Sequence, residues 1–245
     1  MTVNEAPLSP TSRLLGSATR CLALLDALAA APGPAGVSEL ARRTGTARGT
    51  THQRLQTLVA AGWAEPVGDG KYRLTLRALV VGQAVLEQAD LGSRILPTLT
   101  SIAARTGETS SLAVLDQASA MIIQRVASDR ELKADIKAGT RMPLDTSASG
   151  RVLVAFSSDG EIDAARRSGV PMPAPEIIHE ARRRGFASQH DEYFPGMCSI
   201  AVPIHSTKLG LIALAITAPS ARYEQAAALH ALEAGAKEIT LLLRG

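Results

Sequence analysis

Along residues 37–74 the apolar positions recur first with a helical and then with a strand period. Val37-Ser38-Glu39-Leu40-Ala41-Arg42-Arg43-Thr44 reads as a short helix with Ser38 as its N-cap. Gly45 ends it, because a left-handed residue without a Cβ carries no penalty there. Residues 48–59 put Leu55, Leu58 and Val59 on one face at i, i+3, i+4 spacing, with Arg48, Thr50, Gln53 and Arg54 largely on the other. This second helix stops at Gly62. Two short strands follow, 63–67 and 71–74, joined by Gly68-Asp69-Gly70, a strong hairpin signal. Two helices at a glycine turn and a small basic hairpin make a winged helix-turn-helix, a device that holds a helix in DNA.

The pattern extends in both directions. Residues 17–31 predict a helix capped by Ser17, with Leu22, Leu25 and Leu28 on one face, before the loop Pro32-Gly33-Pro34-Ala35-Gly36. Residues 76–91 predict a helix whose wide apolar face carries Leu79, Val80, Val81, Ala84 and Val85, suited to linking domains and pairing with a second chain. A helix over 93–105 ends at Gly107. Strand-like runs follow at 110–115, 121–126 and 132–138, then helices at 147–156 and 175–184. Two strands, 199–204 and 211–216, precede a long final helix over 221–243. The second of them is apolar almost throughout, as a strand covered on both faces must be. The expected class is α+β, with an α/β second domain whose one mostly antiparallel sheet is flanked by helices. The predicted division is a disordered arm (1–16), a winged helix-turn-helix (17–76), a linker helix (77–92) and a distal domain (93–245).

Composition sharpens this picture. The 245 residues are 46% hydrophobic but only 3% aromatic, so Ala, Leu, Val and Ile must build the core. Residues 1–82 hold nine Lys+Arg against five Asp+Glu, a net +4, whereas the remaining 163 hold 17 against 18, a net −1. The basic excess therefore lies in the segment that reads as a DNA binder, where phosphate contact requires it. Cys21 and Cys198 are far apart and imply no disulfide framework, which fits a reducing cytoplasm. The arm lacks an apolar signal core and no stretch is suited to spanning a bilayer, so a cytoplasmic location is expected, without membrane partners.

For DNA, the start of the second reader helix lies nearest the bases: Thr46, Arg48, Gly49, Thr50 and Thr51, with Gln53 and Arg54 a turn later. Arg pairs with guanine and Gln with adenine. Lys71 and Arg73 alternate outward on the wing, while Arg20 and Ser38 are candidate phosphate contacts at helix starts.

Three blocks of this region, residues 38–45, 55–62 and 70–74, resemble the IclR family of bacterial transcriptional regulators. The likeness continues through Pro143-Leu144-Asp145-Thr146-Ser147-Ala148-Ser149-Gly150-Arg151, then residues 185–192, 196–204 and 215–219. It implies a GAF-like effector-binding domain, an operator of double-stranded DNA, a small organic or aromatic acid as effector, and dimers or dimers of dimers. Carried over position by position, it points to Ala148, Ser149, Gln189, Ser199, Ala215 and Thr217 as effector contacts. The helix starting near Ser147 offers free amides for a carboxylate. The chain departs from the family at Gly49, Thr51, Gln53 and Arg54. It departs again at Gln189 (often Asp), Ser199 (often Cys) and Ala215 (often Ser), so operator and ligand are its own.

An enzyme is not expected. Ala148-Ser149-Gly150 is no complete nucleophile elbow, and no glycine-rich phosphate loop occurs. The five histidines show no paired metal-ligand spacing; His190, Cys198 and His205 are close enough in sequence to meet a metal, but isolated, satisfied side chains are the expected reading. No cofactor is expected. Two rival classes remain: a ligand-independent architectural DNA binder, and a small-molecule enzyme fused to a DNA reader.

Overall fold

The computed structural model describes residues 15–89 and 91–243. The expected arm lies outside them but for its last two residues. Contacts divide the chain into two units, residues 1–85 and 86–245.

In the first unit, α1 (Gly16–Ala29), α2 (Val37–Thr44) and α3 (Arg48–Ala60) pack on an antiparallel sheet of β1 (Ala35–Gly36), β2 (Ala64–Pro66) and β3 (Lys71–Leu74), in the order β1-β3-β2. Leu24, Leu28, Leu40, Leu55, Leu58 and Tyr72 form its core. Gly45 takes φ +61° after α2, so the chain can turn sharply into α3. The hairpin turn bends left-handed through Gly68, Asp69 and Gly70, and Tyr72 points inward while Lys71 and Arg73 point out. Beside the wing, the Arg77 guanidinium lies 5.2 Å from the centre of the Trp63 ring. It also donates to the Ala61 carbonyl at 2.7 Å.

Two details of the sequence reading are corrected. Ser17 lies inside α1, whose N-cap is Leu15, and the buried stripe is Cys21, Leu24, Leu25 and Leu28. Leu22 is 61% exposed. A spacing of three drifts by about 60° per step, so positions 22 and 28 diverge while 21, 24, 25 and 28 stay together. Likewise Gly36, held extended in β1, precedes α2 directly; Ser38 falls in the first turn and caps nothing.

Helix α4 (Arg77–Gln88) has no buried residue. Leu79, Val80, Val81 and Val85 are between 48% and 66% exposed, so this apolar face is left uncovered by the described residues.

The second unit comprises α5 (Leu96–Thr106), β4 (Thr109–Asp116), β5 (Ser119–Val126), β6 (Arg141–Met142), α6 (Ala148–Phe156), α7 (Asp159–Arg167), α8 (Pro175–Arg184), β7 (Ala187–His190), β8 (Met197–Ser206), β9 (Gly210–Pro219) and α9 (Gln225–Leu242). Its six strands form one antiparallel sheet in the order β6-β5-β4-β9-β8-β7. The alternation of β9 sorts its side chains by size. Ala213 and Ala215 meet α6, α7 and α8, whereas Ile212, Leu214 and Ile216 meet α5 and α9. Small residues on one face let α6 sit close.

The expected strand over 132–138 is absent. Its alternation is real, since Ala134 and Ile136 are buried while Lys133, Asp135 and Lys137 are exposed. Its backbone joins no ladder, because the edge of β5 away from β4 pairs with the two-residue β6, and the segment is tied by side chains instead. Thr109 Oγ1 donates to the Ala134 carbonyl at 3.1 Å, and Ser128 Oγ to that of Gly107 at 2.6 Å. Beyond the two-residue strands β1 and β6, two elements went unforeseen, α7 and β7. The former is announced by a capping box, Ser158 with Glu161.

Candidate functional site

The DNA-facing candidates gather at the start of α3. Arg48, Gly49, Thr50 and Gln53 are exposed, Thr46 and Arg54 half-buried. The N-cap residue is Ala47, with no side-chain cap, so the first amides of α3 stay open to a phosphate. Lys71 and Arg73 stand out on β3, where Arg73 Nε donates to Glu65 Oε1 at 2.7 Å. Arg20 is exposed in the second turn of α1, and Ser38 in the first turn of α2.

Thr51 departs from this set. It is fully buried, and its hydroxyl bonds Thr46 Oγ1 at 2.7 Å and donates to the Ala47 carbonyl at 3.1 Å. Thr46 in turn meets Thr44 Oγ1 at 2.9 Å. This chain of three hydroxyls fastens the turn between α2 and α3. Thr51 is therefore a structural residue of that turn and not a base contact.

In the second unit, a cavity of about 320 Å³ opens beside the free end of the sheet, at the small end of ligand pockets. Its polar floor is one rung across three strands: Gln189 on β7 lies opposite Ser199 on β8, which lies opposite Thr217 on β9. Gln189 Nε2 donates to Ser199 Oγ at 3.1 Å, and Gln189 Oε1 accepts from the Glu192 amide at 3.0 Å. On β4 the same rung reaches Thr109, whose hydroxyl holds the segment that closes the cavity from above. Ile136, Met142, Phe194 and Met197 supply apolar walls, and Lys133 and Asp135 add opposite charges. Ser147, also on the wall, caps α6 by accepting from the Gly150 amide at 3.0 Å.

Of the six expected effector contacts, Gln189, Ser199 and Thr217 meet at this cavity. Ala148, Ser149 and Ala215 do not line it: Ala148 and Ala215 belong to the packed layer between α6 and the sheet, and Ser149 is buried in the first turn of α6. The sequence reading missed Lys133, Asp135, Ile136, Tyr193 and Phe194. The alternation over 132–138 marked the first three, but as a strand; no period marks the 191–196 loop.

Arg151 ties this region together. Its guanidinium donates to the Asp145 and Ser188 carbonyls at 2.7 Å each and pairs through both terminal nitrogens with the Glu192 carboxylate. The approach to α6 is equally tight at Gly150, where a Cβ would lie 2.5 Å from Leu144 Cα and collide with the Pro143 carbonyl oxygen.

No described helix is long and apolar enough to cross a membrane. The family model described as bacterial transcriptional regulator IclR C-terminal matches residues 83–241, and the IclR helix-turn-helix domain matches residues 17–68. The glycerol operon regulatory protein of Streptomyces griseus is 30% identical over 222 residues, covering 86% of this chain and 87% of that protein. The acetate operon repressor of Salmonella typhimurium is 28% identical, covering 98% and 94%. Among solved structures, an IclR homologue from Microbacterium hydrocarbonoxydans complexed with 4-hydroxybenzoate superposes with a TM-score of 0.80 at 22% identity, covering 93% of this chain and 99% of that one. A transcriptional regulator from Rhodococcus sp. RHA1 gives 0.76 at 28% identity, covering 94% and 99%. These relatives are regulators, not enzymes. With an exposed reader helix, a basic wing and matches along nearly its whole length, the chain belongs to the IclR family of bacterial transcriptional regulators and is a DNA-binding protein of that kind.

Proposed function

We propose that this regulator binds an operator in the cytoplasm as a dimer, alone or paired again, and that a small organic or aromatic acid in the second unit sets its operator affinity. The observation that carries the effector reading is the Gln189–Ser199–Thr217 rung facing a cavity of about 320 Å³ with apolar walls and Lys133 at its edge. Such a site suits a compact ligand with one apolar body and one anionic end. The Microbacterium homologue, holding 4-hydroxybenzoate, supports an aromatic acid. Arg48, Gly49, Thr50, Gln53 and Arg54 read bases, and Lys71, Arg73, Arg20 and Ser38 meet phosphates. The bare apolar face of α4 supports pairing with a second copy. Ligand then acts by population shift, favouring one spacing of the two reader helices over another.

Fluorescence anisotropy on DNA from upstream of the protein's own gene, with scrambled DNA beside it, tests this at fixed salt. A preference of about 10³ or more is expected. One of a panel of small carboxylates and aromatic acids should shift it. Gln189→Ala should lose that shift while keeping DNA affinity. Specific binding that no acid moves, with Gln189→Ala behaving as wild type, refutes the effector reading. Sedimentation of Val80→Glu should give monomers; an unchanged dimer refutes the α4 interface.

A further inference from the structure

The β7–β8 hairpin carries a second group of chemically active side chains, facing away from the cavity. Gln189 and Ser199 point to the cavity, so their neighbours His190 and Cys198, paired in the same ladder, point to the other face. His190 Nδ1 lies 2.8 Å from Cys198 Sγ. The next residue, Asp191, takes a left-handed φ of +58° and sets its carboxylate 3.4 Å from His190 Nε2. One nitrogen, one sulfur and one carboxylate oxygen, each from a different residue type, thus lie within 4.8 Å of one another. His205, the other histidine considered from the sequence, is not part of this cluster.

We propose that His190, Asp191 and Cys198 form a binding site for a divalent cation of the zinc class. The donor set is right for it: imidazole, thiolate and carboxylate are the three side-chain ligands zinc uses, and three protein ligands with one open position form a known zinc arrangement. A tetrahedral S–Zn–N pair spans ~3.6 Å, so the sulfur and Nδ1 must part by ~0.8 Å, and the Asp191 carboxylate, now beside Nε2, must turn toward the Nδ1 side. The exposed imidazole and half-exposed carboxylate give the ion a way in, while the sulfur stays buried. Binding replaces the thiol proton, which passes to solvent as the S–metal bond forms. The site is independent of the effector reading: it uses the opposite face of the hairpin and none of the cavity residues.

The full chain, stripped by a chelator, is titrated with Co²⁺ as a spectroscopic probe and then with Zn²⁺ in competition. One ion per chain, a thiolate-to-cobalt charge-transfer band and its loss on adding Zn²⁺ are expected. Cys198→Ser should abolish the band and Cys21→Ser leave it intact. His190→Ala, which alters an exposed side chain and spares the core, should weaken binding at least about tenfold. The proposal is overturned if no thiolate band forms, if the band follows Cys21, or if folded His190→Ala binds as tightly as the parent.

Discussion

Replacing Arg151 by methionine isolates the ion pair that holds α6 to the pocket hairpin. Methionine keeps most of the apolar stem and deletes the charge. Breaking a buried pair costs ~3–5 kcal/mol in general. Here the Arg151 side chain is 6% exposed but Glu192 is 42% exposed, so water recovers part of the carboxylate's solvation. Against that relief, the Asp145 and Ser188 carbonyls each lose a charged donor at 2.7 Å, on the order of 1 kcal/mol apiece. The expected net loss is ~3 kcal/mol, or about 10 °C in the Tm of a unit of this size. Glu192→Gln leaves Arg151 its two carbonyl acceptors and should cost only ~1–2 kcal/mol. Thermal and urea unfolding of both single variants and the double variant completes a cycle, with a coupling of ~1–2 kcal/mol expected. A loss under ~1 kcal/mol for Arg151→Met, or coupling below ~0.5 kcal/mol, would refute the view that this pair fastens the pocket.

Three further outcomes follow from the geometry. Thr51→Val should destabilise the first unit by ~1–2 kcal/mol while leaving operator affinity nearly unchanged below the unfolding temperature; Arg48→Ala should do the reverse, and identical behaviour of the two in anisotropy would contradict the buried hydroxyl chain. Gly150→Ala should cost ~1–3 kcal/mol by pushing α6 from the Pro143–Leu144 backbone. Gly160→Ala, with nothing within 4 Å of the new Cβ, should be neutral or stabilising in calorimetry. Hydrogen bonds from the Ser158 hydroxyl and amide hold the Glu161 carboxyl below its usual range. A depressed folded-state pKa means that its contribution is present above the unfolded value and lost as pH falls through the folded one. Glu161→Gln should therefore lower stability near neutral pH and match wild type in strong acid; a difference unchanged with pH would rule out the capping box.

The reader was legible because its signals are local. A glycine must supply the left-handed turn after α2, and Leu55, Leu58 and Val59 can be buried together only on a helix. Thr51 was legible too, since it lies four residues before Leu55 and seven before Leu58, on their face, but a polar residue near a reader helix start invites the wrong role. The floor of the cavity followed from family positions that antiparallel register brings onto one rung. Its cover did not: Lys133, Asp135 and Ile136 alternate as a strand does, and side-chain bonds from Thr109 and Arg222 to the Ala134 and Leu132 carbonyls hold the segment instead of a ladder. The His190–Asp191–Cys198 cluster was half visible. Sequence put His190 and His205 at similar distances from Cys198, and the hairpin register alone selects between them.

The stacking of Arg77 on Trp63 has an optical consequence. Trp63 is the chain's single tryptophan, and it sits in the unit that meets DNA. Indole emission therefore reports on the wing alone, and a nearby guanidinium that shifts when DNA arrives changes its brightness without any attached dye. The second unit is dark in that channel; Tyr193 at the cavity and half-buried Tyr223 are its phenolic emitters. Exciting the indole alone thus follows the reader in the unmodified protein, whereas a phenolic signal mixes Tyr72 of the first unit with Tyr193 and Tyr223 of the second.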